Sequence, residues 1–116
     1  MTGGSRYRLL IREGAKFSRE GYDSFDAAFS ELHKRGKELE RTTNAKPVNT
    51  MLGRRFDPVQ QVAARLELHA PRGVRGGVDI RGDGSSEAFT GWIRRKLVAQ
   101  RAGESPYQAL RRELRS

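Results

Sequence analysis

An alternation of apolar and basic residues near the start of the chain constrains its fold more than any other feature. In the segment RYRLLIR (residues 6–12), Tyr7, Leu9 and Ile11 occupy every second position, and arginine occupies positions 6, 8 and 12. Side chains alternate between the two faces of a strand, so this spacing predicts a strand with one apolar and one basic face. The apolar face then needs a second layer to cover it. A turn at residues 13–15 and a short return strand at 16–19 follow.

The next segment predicts a helix over about residues 24–41. Asp23 is a suitable N-cap, and Asp26 in the first turn suits the positive end of the helix dipole. Gly36 weakens the last turns of this pattern. Apolar residues recur at helical spacing and form one stripe, which consists of Phe25, Ala28, Phe29, Leu32 and Leu39.

Residues 57–70 fit two structures. Asp57 and Pro58 form an opening that is typical of a helix, and the apolar residues that follow keep helical spacing as far as position 66. The apolar residues at positions 62, 64, 66 and 68 alternate with a second set that includes three charged or polar residues, which fits a strand. We favour a strand over about residues 61–70 because this pattern covers the longer run. A helix over the same segment is the alternative.

The segment after residue 70 predicts a loop followed by two strands. Residues 71–77 are rich in arginine and glycine and predict the loop. Residues 78–81 predict a strand, residues 82–85 a hairpin turn, and residues 87–98 a long return strand that bends at Gly91.

A second helix begins near residue 105. Ser105 is an N-cap, Pro106 occupies the first helical position, and Gln108 has the spacing of a capping box. The apolar stripe of this helix consists of Tyr107, Leu110 and Leu114.

These elements together predict an α+β fold. A small, mostly antiparallel sheet is backed by two helices, in the order ββα then βββα. The chain divides into a strand–strand–helix half at 1–41, a connecting loop at 42–56, and a three-strand-plus-helix half at 57–116. Because the chain has 116 residues, we expect both halves to share one core.

The residue types that usually carry catalysis or bind metals are few. The chain has no cysteine, which excludes a disulfide, a thiolate metal site and a cysteine nucleophile. The two histidines, His33 and His69, are 36 residues apart, and neither has a local set of carboxylates. Neither a phosphate-binding Gly-Lys-Ser/Thr sequence nor a Gly-x-Ser-x-Gly nucleophile elbow occurs. We therefore expect a protein that is not an enzyme and that has no cofactor and no metal.

Composition also bears on where the protein works. The absence of cysteine fits a reducing compartment, and we expect a cytoplasmic protein. The first five residues lack the apolar segment of a signal peptide, and no apolar run is long enough to span a bilayer. We therefore expect no membrane partner.

The charge balance gives the main indication of function. Lysine and arginine together number 23 and exceed the 14 acidic residues, so the net charge is +9, and 18 of the 23 basic residues are arginine. A positive field of this size attracts polyanions. Strand and loop arginines beside an aromatic ring suit phosphate contact combined with base stacking. The candidate contact residues are Arg6, Arg8, Arg12, Arg72, Arg75, Arg81, Trp92, Arg94, Arg95 and Lys96.

The order of elements resembles that of known DNA-binding modules. Residues 6–41 run strand, turn, strand, helix, and the segment YDSFDAA (residues 22–28) closes the strands and opens the helix. This plan resembles the arm-binding modules of tyrosine recombinases and is similar to the DNA-binding modules of plant ethylene-response factors. Those families lay a three-stranded antiparallel sheet in the DNA major groove and brace it with one helix. Residues 72–115 resemble the same plan, with the segment GESP (residues 103–106) opening the helix.

The resemblance implies that strand-borne arginines contact DNA. The implied residues are Arg6, Arg8, Arg81 and Arg94. Two features depart from the pattern: no third strand is evident in the first half, and the 42–56 connection has no counterpart in those modules.

We therefore predict a small basic nucleic-acid-binding protein, with DNA expected rather than RNA. The alternative is a protein-interaction or inhibitor module that places a basic sheet face against an acidic partner. Open sheet edges would allow a dimer, and nothing in the sequence requires one.

Overall fold

The computed structural model of the chain describes residues 6–45, 62–91 and 94–115. Two strands and a helix come first: β1 (Tyr7–Glu13), β2 (Lys16–Tyr22) and α1 (Phe25–Ala45). Four strands and a helix follow: β3 (Val62–His69), β4 (Arg75–Arg81), β5 (Ser86–Thr90), β6 (Lys96–Leu97) and α2 (Pro106–Arg115). The predicted α+β class, with an antiparallel sheet and two helices, is confirmed. Neither α1 nor α2 is long and apolar enough to cross a membrane.

All six strands form one antiparallel sheet in the order β2-β1-β3-β4-β5-β6. The strand β1 therefore lies between its hairpin partner β2 and the distant strand β3. Their register pairs Leu9 with Leu68 and Ile11 with Leu66, so the apolar residues of both strands point to one face. Because β3 pairs on both of its sides, residues 62–69 form a strand rather than a helix. Residues 57–61 lie outside the described residues.

The apolar face of the sheet packs against both helices and forms the core. Leu9, Leu66, Leu68 and Ile80 on the sheet have no accessible surface. The helices bury most of the predicted stripes against them, namely Ala28, Phe29, Leu32, Leu39, Tyr107 and Leu110. Side chains from both ends of the chain thus form a single apolar cluster.

The two helices begin at side-chain caps. The Ser24 hydroxyl accepts a hydrogen bond from the Ala27 backbone N–H at 3.1 Å, so Ser24, and not the predicted Asp23, caps α1. The capping box of α2 forms as predicted. Its Ser105 hydroxyl accepts from the Gln108 N–H at 3.1 Å, and the Gln108 side chain accepts from the Ser105 N–H at 2.8 Å.

Two segments after β3 differ from the prediction. The sequence predicted a loop for residues 75–77, but these residues belong to β4. The glycines at positions 76 and 77 lack side chains, which allows neighbouring atoms of the sheet and of α2 to approach the β4 backbone closely. A Cβ on Gly76 would lie 2.9 Å from the carbonyl oxygen of Phe89. The long strand expected at 87–98 is instead two strands, β5 and β6, which pair antiparallel. The chain reverses after Gly91, whose φ of +90° is disfavoured for other residues.

The helix α1 continues to Ala45, into the segment for which the sequence predicted a connecting loop. The two helices approach each other closely at a glycine of α1. The buried Gly36 faces the ring of Tyr107 on α2, and a Cβ at Gly36 would lie 2.7 Å from Tyr107 Cε1. The Tyr107 hydroxyl donates a hydrogen bond to Glu40 at 2.7 Å. Burial, followed by this hydrogen bond and the charge of Glu40, raises the pKa of Tyr107 far above that of an ordinary tyrosine. Gly36 is therefore a packing position.

Replacing this glycine should reverse the usual effect of alanine in a helix. At an open helical site, Gly→Ala raises the free energy of unfolding by about 1 kcal/mol. In Gly36→Ala, the methyl group would overlap Tyr107, and overpacking of this kind costs about 1–3 kcal/mol. We expect urea denaturation to show lower stability for Gly36→Ala and little change for the control Ser30→Ala, on the exposed side of the same helix. A Gly36→Ala protein more stable than the wild type would contradict this packing.

A carboxylate links the segment that precedes α2 to the helix itself. Glu104 accepts hydrogen bonds from Arg112 Nε and Nη2, both at 2.9 Å, and from the Arg101 backbone N–H at 2.8 Å. The Arg112 hydrogen bonds, followed by the backbone one, lower the pKa of Glu104 to about 2 from the ordinary 4.5. A carboxyl group whose pKa is depressed in the folded state stabilises the fold above pH 4.5 and loses that contribution as the pH falls toward 2.

We therefore expect Glu104→Gln to lower the thermal midpoint at about pH 7 and to differ less from the wild type at about pH 3, where part of the linkage is already lost. Glu38→Gln, which changes an exposed carboxylate on α1, is the matched control and should show no such convergence. Thermal unfolding followed by circular dichroism measures both. If the difference in thermal midpoint between Glu104→Gln and the wild type is the same at both pH values, the carboxylate charge of Glu104 does not contribute to stability.

Candidate functional site

The face of the sheet opposite the helices carries charged and aromatic side chains. Residues paired across an antiparallel sheet share a face. Arg12 pairs with Phe17 and with Arg65, and Arg65 pairs in turn with Asp79, so the row crosses four strands. We call this surface the open face, since neither helix covers it. Its residues are Arg8, Leu10, Arg12, Phe17, Arg19, Arg65, Glu67, His69, Arg75, Asp79, Arg81, Glu87 and Phe89, with Arg95 packed onto Phe89.

Acidic residues neutralise one side of the open face. Arg65 donates to both oxygens of Asp79, at 2.5 and 3.0 Å. The hydrogen bond to Asp79 raises the pKa of Arg65 despite its partial burial. On either side of this pair, further carboxylates meet basic groups. These contacts are Arg81–Glu87 at 2.5 Å, His69–Glu67 at 3.0 Å and Arg95–Glu67 at 4.0 Å. We call Arg65, Glu67, Asp79, Arg81, Glu87 and Arg95 the paired half.

The other side of the open face keeps its positive charge. Arg8 and Arg12 lie on β1, and Arg19 lies on β2 opposite Leu10, between them in register. All three are exposed, and among the described residues no carboxylate lies within ion-pair distance of them. We call these three arginines the basic half. The β2 side of the open face therefore carries three positive charges that no carboxylate of the described residues offsets at ion-pair distance.

An aromatic ring lies within the basic half. Phe17 is 49% exposed, and the guanidinium carbons of Arg12 and Arg19 each lie 5.7 Å from its ring centroid. This distance is within the range of a cation–π contact. The second aromatic residue of the open face, Phe89, is only 2% exposed and lies beneath Arg65 and Arg95. Phe17 is thus the accessible ring of the two.

A groove of about 340 Å³ runs between the two halves. Leu10 and Phe17 supply its apolar surface, and Glu67 and His69 supply polar groups on the opposite side. Its remaining lining consists of Arg12, Arg65, Arg75 and Arg95. We call it the open-face groove. It combines an exposed ring, guanidinium groups and a hydrogen-bonding pair, which together suit a planar polar ligand.

The structure gathers five of the predicted contact residues on the open face and separates the others. The five are Arg8, Arg12, Arg75, Arg81 and Arg95. Of these, Arg75 lies in β4 rather than in the predicted loop. Arg81 and Arg95 face carboxylates, so less of their charge is available to a ligand.

The remaining predicted residues lie elsewhere. Arg6 and Arg72 line a second groove of about 570 Å³ beside Phe25 and Arg115, at one end of the sheet. Arg94 is exposed, and Lys96 pairs with Thr90, whose register places it on the helix-covered face. Trp92, which was predicted to stack on a base, lies outside the described residues.

Sequence reasoning missed Phe17, Arg19, Arg65 and Glu67 as site residues. Phe17 and Arg19 are two positions apart, which places them on one strand face, but the sequence did not indicate which face is buried. The alternation of Arg65, Glu67 and His69 was visible as a polar strand face. Its contacts with β1 and β4 depend on strand order, which has no local signal.

Comparison of the chain with protein-family models, with curated proteins and with solved structures finds no match.

The central pair of the paired half should contribute to stability. Asp79 is buried, with 11% of its side chain exposed, and it accepts two hydrogen bonds from Arg65. Asp79→Asn removes the charge and replaces one of the two acceptor oxygens with an amide nitrogen that cannot accept from Arg65, so we expect the free energy of unfolding to fall by about 1–3 kcal/mol. Glu87→Gln is the matched control on the same face, where the 38% exposed carboxylate should contribute less than about 1 kcal/mol. Equal losses by chemical denaturation would contradict this ranking.

Proposed function

We propose that this chain is a nucleic-acid-binding protein that contacts phosphates through the arginines of the open face. The observation that carries the proposal is the basic half, in which three exposed arginines on adjacent strands have no ion-pair partner among the described residues. Arginine forks match phosphate oxygens in geometry and charge. The net charge of +9 adds a long-range attraction for the same ligand.

The distribution of charge supports a polyanion that lies along the β1–β2 side of the sheet. The paired half is close to electrically neutral, since its arginines face Glu67, Asp79 and Glu87. A phosphate chain there would meet carboxylates as well as guanidinium groups. The ligand backbone therefore lies over Arg8, Arg12 and Arg19 in this proposal.

The likeness to arm-binding modules gives partial support. The strand β3 lies beside β1, so β2, β1 and β3 are adjacent antiparallel strands, but β3 follows α1 in the chain and belongs to a six-stranded sheet. Of the four arginines that the likeness implies, Arg8 belongs to the basic half, whereas Arg81 is bonded to Glu87. We prefer DNA to RNA because the modules that the chain resembles bind DNA, and we prefer a cytoplasmic location because the chain has no cysteine. The charge of the basic half argues for nucleic acid independently of the likeness.

Binding should weaken steeply with salt, because phosphate contacts release counterions. We would measure fluorescence polarisation of labelled duplex DNA, single-stranded DNA and RNA at about 50 and about 200 mM salt. Arg8→Gln and Arg19→Gln should each weaken binding and lower the slope of log affinity against log salt by about 0.7–0.9. Lys34→Gln removes the same charge from an exposed position on α1 and should leave the slope unchanged.

Two results would overturn the proposal. If no probe binds at low salt, the proposal is wrong, and an acidic protein becomes the expected partner of the basic half. Equal effects of Arg19→Gln and Lys34→Gln would show that net charge alone, and not the open face, attracts the probe.

A further inference from the structure

Among the aromatic residues that the structure describes, Phe17 is unusually exposed. It lies on an edge strand whose sequence, KFSREGY, is otherwise mostly polar, and nearly half of its surface is accessible. Phe25, Phe29 and Phe89 are each partly or fully buried. Packing against the core therefore does not account for Phe17, and its accessible surface faces the open-face groove.

The surroundings of Phe17 separate two kinds of ligand chemistry. The outer rim carries Arg8, Arg12 and Arg19, which attract phosphate. The opposite wall of the groove carries the Glu67 carboxylate, which accepts from His69, together with Arg65, Arg75 and Arg95. This wall presents both hydrogen-bond donors and an acceptor, so a planar group can lie against the Phe17 ring while its edge meets the polar wall.

We propose that the open-face groove holds an unpaired nucleobase stacked on Phe17, with the neighbouring phosphates on Arg12 and Arg19, so that the ligand is a single-stranded nucleic acid. The inference rests on the proposed function and adds the class of nucleic acid to it. In a duplex, each base is stacked between its neighbours and its face cannot reach a protein ring unless it is flipped out. Stacking on aromatic side chains is instead the mode by which proteins bind single strands.

The positions of the two arginines support this arrangement. Arg12 lies opposite Phe17 on β1, Arg19 lies two residues along β2, and both guanidinium carbons are 5.7 Å from the ring centroid. A strand that passes over β1 and β2 therefore meets two cations next to the stacked base. Leu10, between β2 and β3 in the sheet, continues the apolar floor from Phe17 toward the groove. The groove is open to solvent on the face, so a base enters without displacement of either helix.

The test compares oligonucleotides with and without bases. Polarisation would be measured with a single-stranded DNA of about ten nucleotides, with the same strand carrying abasic sites throughout its centre, and with its duplex. We expect the wild-type protein to bind the intact strand at least about 5-fold more tightly than the abasic strand. Phe17→Leu should remove most of that difference, whereas Phe17→Tyr should preserve it, because tyrosine keeps the aromatic ring.

Controls separate stacking from folding and from charge. Circular dichroism should show that Phe17→Leu remains folded, as expected for a half-exposed site. Leu97→Ala shortens another exposed apolar side chain of the sheet, at the opposite edge, and should leave the intact-to-abasic ratio unchanged. Arg19→Gln should weaken binding to the intact and the abasic strand to a similar extent.

The outcomes distinguish this inference from the proposed function. Salt-sensitive binding with equal affinity for intact and abasic strands would overturn stacking and leave phosphate contact standing. Tighter binding of the duplex than of the single strand would also overturn it. Absence of binding to all three probes would overturn both proposals.

Discussion

Pairing of β1 with β3 in a single register determines both faces of the sheet. Side chains alternate along each strand, so a slip of one residue would exchange the core and the open face on that strand. With Leu9 opposite Leu68 and Ile11 opposite Leu66, the buried leucine and isoleucine side chains of the two strands lie beside each other on the core face. The same register collects the arginines on the other face. Core formation and the charged surface are thus two consequences of one alignment.

The two helices cover only one of these faces, and a close contact between them sets their positions on it. Gly36 lets the Tyr107 ring approach the α1 backbone, and the hydrogen bond to Glu40 holds the ring there. With this contact in place, α1 lies over β1, β3 and β4, and α2 lies over β4 and β5. A larger residue at position 36 would move α2 away from α1. The opposite face keeps its charged residues because neither helix extends over it.

Charge pairing divides the open face into two regions of different chemistry. The paired half satisfies its arginines within the chain, and the burial of Asp79 makes that pairing part of the fold. The basic half lacks such partners among the described residues, and Phe17 adds a hydrophobic surface beside it. In the proposed complex, the groups that would contact phosphates therefore lie next to the ring that would stack on a base, which suits a single-stranded polyanion.

Short-range patterns in the sequence determined the elements whose signals are local. The alternation in residues 6–12, the turn after Glu13 and the capping box of Ser105 and Gln108 each depend on neighbours a few residues apart, so all were predictable. Tertiary structure alone decided between helix and strand for residues 62–69, because that choice depended on the pairing positions that β1 and β4 offer. It also decided that Arg65 is paired with Asp79, 14 residues away, and that Arg19 has no ion-pair partner among the described residues. Phe17 and Arg19 lie on β2, at the edge of the sheet, and the strand order that places β2 there has no local signal in the sequence.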